Sequence, residues 1–177
     1  MAQLDDSDAA SPGALDTESF KRAMGCFATG VAVVTASEAG APVGFTCQSV
    51  ISLSLEPALV ALAPAKSSTS WPRIARAGSF CVNVLSEAQE HLGRRFSLSG
   101  VDKFPGVAWR PGYGGAPVIE GSIAWVDCDL ELVHDAGDHE IVIGRAVSVG
   151  FGDLEAAPLL FYQSEFRRFG RPPEVAG

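Results

Sequence analysis

The chain has 177 residues, 47% of them hydrophobic and 19% charged, which suits one domain with a sizeable core. Its formal net charge of −8 argues against nucleic acid or an anionic membrane as a partner held by non-specific electrostatics. Nineteen glycines and eleven prolines favour short strands and turns over long helices.

Residues 1–16 are acidic, small and without period, and are read as a mobile arm. A helix follows, with Asp16 or Thr17 as N-cap and Glu18 in its first turn. Phe20, Ala23, Met24 and Phe27 recur at helical spacing, and Gly30 is expected to close the helix. Strands are predicted over 31–35 and 43–50, with a glycine turn between them. Two more are predicted over 51–55 and 58–63, the second as a continuous apolar, buried run. A polar loop, Lys66-Ser67-Ser68-Thr69-Ser70, leads into a short helix through Trp71 and Ile74, capped by Gly78. A strand over 79–85 precedes a helix over 86–96, with Ser86 as N-cap and Gln89 in the capping-box position.

Residues 97–117 show no period, and a loop of that length inside a domain is usually functional. Then comes a long hairpin. Ala124, Val126, Cys128, Leu130 and Leu132 alternate with polar residues or Trp125, and a turn follows at 135–138. On the returning strand Ile141, Ile143, Val147 and Val149 are in phase with His139 and Arg145. A last strand is predicted over 159–162, and 170–177 form a tail. About seven short strands with two or three helices, not in regular alternation, exclude a doubly wound parallel sheet and favour a closed or nearly closed antiparallel barrel.

The motifs exclude several chemistries. No GxGxxG follows a strand, and Walker A, GxSxG and HExxH are absent. His91, His134 and His139 lack metal-ligand spacing, so no metal site is expected. Cys26, Cys47, Cys81 and Cys128 form no CxxC pair. With no secretory leader and no membrane-spanning apolar run, they suggest a reducing, cytoplasmic setting.

Four stretches carry groups suited to a ring-bearing, phosphorylated ligand, though each also has a plainer explanation. The hydroxyls and backbone N–H groups of residues 66–70, with Lys66 beside them, suit phosphate; they also suit an ordinary serine-rich helix cap. Thr46, Cys47, Gln48 and Ser49 interrupt apolar alternation, as for the polar edge of a flat ring or for a solvent-facing strand. Arg95-Phe96 and Lys103-Phe104 set cations beside aromatics, as for an anionic aromatic ligand or for plain surface charge. His139 opens a strand near a barrel mouth, in reach of a substrate or simply solvated.

Taken in order, 28–35, 44–49, 66–71, Phe80-Cys81-Val82-Asn83-Val84-Leu85, Arg95-Phe96, Asp102-Lys103-Phe104 and Gly137-Asp138-His139 resemble the flavin reductase family, the reductase components of two-component flavin monooxygenases. The resemblance runs from about residue 17 to 169 and implies a mainly β, split antiparallel β-barrel of FMN-binding type, Greek-key-like, as a homodimer. It implies that Thr46, Cys47, Gln48 and Ser49 lie along the isoalloxazine and ribityl chain. Lys66, Ser67, Ser68, Thr69 and Ser70 would hold the phosphate, Arg95, Phe96, Lys103 and Phe104 would lie near the flavin, and His139 would position the nicotinamide. It further implies hydride transfer from NADH or NADPH to FAD or FMN, and release of reduced flavin to a separate monooxygenase or halogenase. Cys47-Gln48 and Glu165-Phe166 depart from the pattern common among relatives and leave the flavin and nicotinamide preferences open. The rival readings are an oxidase of pyridoxamine-phosphate type and a flavin-binding carrier or sensor without catalysis.

Overall fold

In the computed structural model, residues 15–169 are described; except for Leu15 and Asp16, the expected arm and tail lie outside them. Three helices, α1 (Thr17–Gly25), α2 (Trp71–Ala77) and α3 (Glu90–Ser97), accompany twelve strands. The strands are β1 (Thr29–Gly30), β2 (Ala32–Glu38), β3 (Ala41–Cys47), β4 (Ile51–Leu55), β5 (Ala58–Leu62), β6 (Ser79–Val84), β7 (Trp109–Pro111), β8 (Pro117–Ile119), β9 (Ala124–Ala136), β10 (His139–Phe151), β11 (Leu159–Tyr162) and β12 (Glu165–Arg168).

Seven strands form one antiparallel sheet in the order β3-β2-β6-β9-β10-β5-β4. It curls. Val43, Phe45 and Cys47 of β3 share one apolar cluster with Leu62 of β5 and Val142 of β10, near the opposite end of that order. The Ser49 hydroxyl bridges the split, donating to the Ala63 carbonyl at 3.2 Å and accepting from the Ala63 N–H at 2.9 Å. β2 is buried on both faces. Ala32, Val34 and Ala36 enter the barrel cluster, whereas Val33, with Val31 just before the strand, enters a second cluster with Leu92, Phe96, Phe104 and Leu159. That second core lies under α3 and the small sheet β1-β11-β12.

Local signals explain most elements. Asp16 caps α1 through the N–H groups of Glu18 and Ser19. Gly78 ends α2 at φ 73°, a conformation that favours glycine, and Ser86 with Gln89 completes the capping box. Other expectations are corrected. α1 stops at Gly25, because Cys26 closes back on Ala23 and Met24, while Thr29–Gly30 pairs with β11. The strand expected over 43–50 ends at Cys47, since Ser49 turns its hydroxyl across the split. Only Ala61 and Leu62 of the run 58–63 are buried within β5. The loop 97–117 contains β7 and part of the β7–β8 hairpin. β12 was not expected; its Phe166 packs edge-on against Phe161 at 5.4 Å.

The alternation of β10 left open which face meets the core, and the fold decides it. Val142 and Gly144 face the core, while Ile141, Val147, Val149 and Phe151 are exposed. A Cβ on Gly144 would meet Phe80 Cζ at 2.4 Å, so Phe80 fills the space a side chain would take. Register shifts interrupt its pairing with β9 at Ile143/Gly144 and Ala146/Ser148.

Candidate functional site

A cleft of about 810 Å³ opens where the end of β3, the loop before α2, the end of α3 and the start of β10 meet. It gathers Thr46, Cys47, Gln48, Ser49, Ser67, Ser68, Thr69, Ser70, Phe96, Lys103 and His139. Residues separated by most of the sequence are thus brought to one place, and the volume suits a cofactor-sized ligand.

The polar wall is held from behind. The Thr46 hydroxyl donates to the Gly93 carbonyl at 2.6 Å, tying β3 to α3. Cys47 is buried, and burial pushes its thiol well above the ordinary value; its Sγ lies 3.3 Å from the Ser49 hydroxyl. Gln48 is exposed at the mouth and accepts a long bond from Thr29 at 3.4 Å.

The serine loop is shaped by short-range bonds. The Ser68 hydroxyl accepts from the N–H groups of Ser70 and Trp71, capping the approach to α2. Behind it, Lys66 N–H donates to Asp138 O at 2.9 Å and Glu140 N–H to Pro64 O at 3.0 Å. These bonds, with an isolated bridge from Ala65 to His139, fix the histidine beside the loop. His139 Nδ1 lies 2.8 Å from Asp138 Oδ1, which holds the Asp138 carboxyl below its usual range. The Trp71 indole N–H bonds to Glu140, bracing the same corner.

Lys103 is buried, and each of its three donors is used, on the carbonyls of Gly44 and Phe96 at 3.0 Å and the Ser70 hydroxyl at 3.1 Å. It therefore joins β3, the start of α2 and the end of α3. Desolvation lowers its pKa below the ordinary lysine value.

Three expected residues lie outside the lining. The Lys66 ammonium pairs with Asp135. Arg95 is half-buried on α3 away from the lining. Phe104 packs behind Phe96 with ring centroids 5.1 Å apart and lines a neighbouring cleft instead. The motif reading also missed Leu98 and Met24, which supply an apolar wall with Phe20. Met24 had a signal in the sequence, since it shares the helical apolar period of α1 with Phe20, a face left exposed in the described residues; Leu98, just past α3, had none.

The curled antiparallel sheet, split beside Ser49, with a cofactor-sized cleft lined by polar and apolar side chains, defines a split-barrel protein with one candidate ligand site. The comparisons agree. The "Flavin reductase like domain" family matches residues 24–170. The reductase subunit HsaB of a flavin-dependent monooxygenase from Rhodococcus jostii is 44% identical over 166 residues, 94% of this chain and 85% of that protein. Among solved structures, nitrilotriacetate monooxygenase component B from Mycobacterium thermoresistibile has a TM-score of 0.84 and 43% identity, covering 90% of this chain and 89% of that one. The NADH:FAD oxidoreductase SgcE6 of Streptomyces globisporus, in complex with NAD and FAD fragments, gives 0.83 and 34%, covering 91% and 96%. The chain belongs to the flavin reductase family and is an oxidoreductase.

Proposed function

We propose that the cleft holds FAD or FMN with its isoalloxazine along residues 46–49 and its phosphate at Ser67–Ser70, and that NADH or NADPH enters beside His139. The observation that carries this reading is the convergence of Thr46–Ser49, Ser67–Ser70 and His139 on one cleft from three separate parts of the chain. The residues fit the group. An isoalloxazine has a polar pyrimidine edge and an apolar xylene edge, and the cleft lining includes both polar Gln48 and Ser49 and apolar Phe20, Met24 and Leu98.

When bound, flavin supplies the electron-accepting chemistry, taking hydride at N5 from nicotinamide C4. The chain supplies position and shielding. His139 is tethered through Nδ1 to Asp138, and its other ring nitrogen, Nε2, would orient the nicotinamide. The buried Lys103 places positive charge beside the cleft, favouring anionic groups in it. The Thr46–Gly93 bond fixes the wall against which a ring would lie.

The exposed apolar residues of β4, β9 and β10, including Leu55, Leu132, Ile141, Val149 and Phe151, support a homodimer through that outer face. Three buried unpaired cysteines, with none of the four in a disulfide, support a cytoplasmic setting. Reduced flavin passes to a separate monooxygenase or halogenase.

Anaerobic stopped-flow absorbance tests the core claim. Mixing protein and flavin with NADH or NADPH should bleach the oxidised flavin band in a protein-dependent way. Binding without bleaching by either nucleotide would refute the enzyme and leave a carrier. His139→Ala should raise the KM for the nucleotide more than it lowers kcat.

A further inference from the structure

Glu140 does not line the cleft, but its backbone and its side chain hold opposite ends of the serine loop. At the near end, residues 64–66 run antiparallel to residues 138–140. Glu140 N–H donates to the Pro64 carbonyl at 3.0 Å and Lys66 N–H donates to the Asp138 carbonyl at 2.9 Å, with the Ala65–His139 bridge between them. At the far end, the Glu140 carboxylate accepts the indole N–H of Trp71. Trp71 is the first residue of α2, directly after Ser70, and its backbone N–H donates to the Ser68 hydroxyl at 3.1 Å. One residue of β10, the chain neighbour of His139, therefore clamps residues 66–70 at both ends.

The side-chain half of this clamp is specific to the pair. Trp71 is 3% exposed and packs in the barrel core, so its ring is a rigid anchor. Glu140 is half-buried, and a carboxylate is a stronger acceptor than a neutral oxygen. A buried indole N–H needs an acceptor wherever it lies, and a backbone carbonyl would satisfy it. Here the acceptor comes from the residue beside His139, so the bond also fixes the spacing between that histidine and the loop.

We propose that Glu140 is a positioning residue for the hydride transfer. Through Trp71 it sets the distance between the serine loop and His139, and so aligns a flavin held by the loop with a nicotinamide held by the histidine. The proposal rests on the reading that places the flavin phosphate at Ser67–Ser70 and the nicotinamide at His139. Such spacing matters because the reacting atoms must come within about 3–3.5 Å, and a small misplacement slows transfer by orders of magnitude.

The test is the limiting rate of flavin reduction at saturating NADH, measured by anaerobic stopped flow beside a urea midpoint for each protein. Glu140→Ala should slow the limiting rate roughly tenfold. Glu140→Gln keeps an acceptor oxygen and should restore most of that rate. Trp71→Phe keeps the ring in the core but removes the donor; it should reproduce the loss, and it carries the test alone if Glu140→Ala does not fold. The double variant should be no slower than either single one, since both remove the same bond. A full limiting rate in Glu140→Ala or Trp71→Phe, whatever the change in urea midpoint, would overturn the proposal and leave the bond structural. Equal slowing by Glu140→Gln and Glu140→Ala, or additive losses in the double variant, would also overturn it. If His139→Ala too left the KM for NADH and the limiting rate unchanged, the placement of the nicotinamide would fail, and not the positioning role alone.

Discussion

Replacing Asn83 should destabilise the protein more than its single position on β6 suggests. The side chain is fully buried and joins three elements. Its amide donates to the Val33 carbonyl and the Thr35 hydroxyl, both at 3.1 Å, and to the Pro117 carbonyl at 3.2 Å. Its oxygen accepts the Ile119 N–H at 2.8 Å. In Asn83→Ala, Pro117 keeps the Thr35 hydroxyl at 2.5 Å, but Ile119 N–H loses the partner that satisfied it. One orphaned buried donor costs about 1–3 kcal/mol, and the lost amide bonds add about 1 kcal/mol or so, giving about 3 kcal/mol in all. For a domain of this size that corresponds to a fall in Tm of roughly 6–12 °C. Asn83→Asp should be worse. It keeps the acceptor for Ile119 but turns a second carboxylate oxygen toward two carbonyls, in a site with no described cation partner. Urea titration and calorimetry at one fixed protein concentration measure both, since association shifts apparent stability. A loss below about 1 kcal/mol for Asn83→Ala, or an aspartate variant more stable than the alanine one, would refute this account of the network.

Three further outcomes are expected. Gly144→Ala should cost about 1–3 kcal/mol, because its Cβ would meet Phe80 Cζ at 2.4 Å and Cys128 Cβ at 3.0 Å; Phe80→Leu in the same protein should recover part of the loss, as read by urea midpoints. Burial lowers the Lys103 pKa in the folded state below the unfolded value near 10.5, so the unfolded chain binds more protons between the two values. The penalty is fully present below the folded pKa and is lifted as pH rises towards 10.5. The stability of the unaltered protein relative to Lys103→Met should therefore rise with pH across that window, and a flat or falling difference in urea midpoints would contradict it. Finally, a thiol reagent at neutral pH should titrate Cys26 rapidly and the other three cysteines only on unfolding, because Cys47, Cys81 and Cys128 are buried and their thiols are pushed up by desolvation.

Local chemistry made several elements legible in the sequence. Asp16, Gly78 and the Ser86–Gln89 pair act through groups within a few residues of themselves, so their pattern is enough to place a helix end. The apolar run of β2 and the long β9–β10 hairpin were legible for the same reason. Most of the polar cleft-lining residues were also visible as polar or cationic interruptions, and the order of those motifs along the chain pointed to the family. What the sequence could not settle depended on distant neighbours. Alternation along β10 does not say which phase meets the core; Phe80, more than sixty residues earlier in the chain, occupies the space above Gly144 and sets the phase of Gly144 inward. Lys66 and Lys103 read alike as cations near a ligand. Only the fold pairs the first with Asp135 and buries the second among three neutral oxygens. Burial and pairing are set by which surfaces meet, and a linear pattern records the composition of each surface but not its partner.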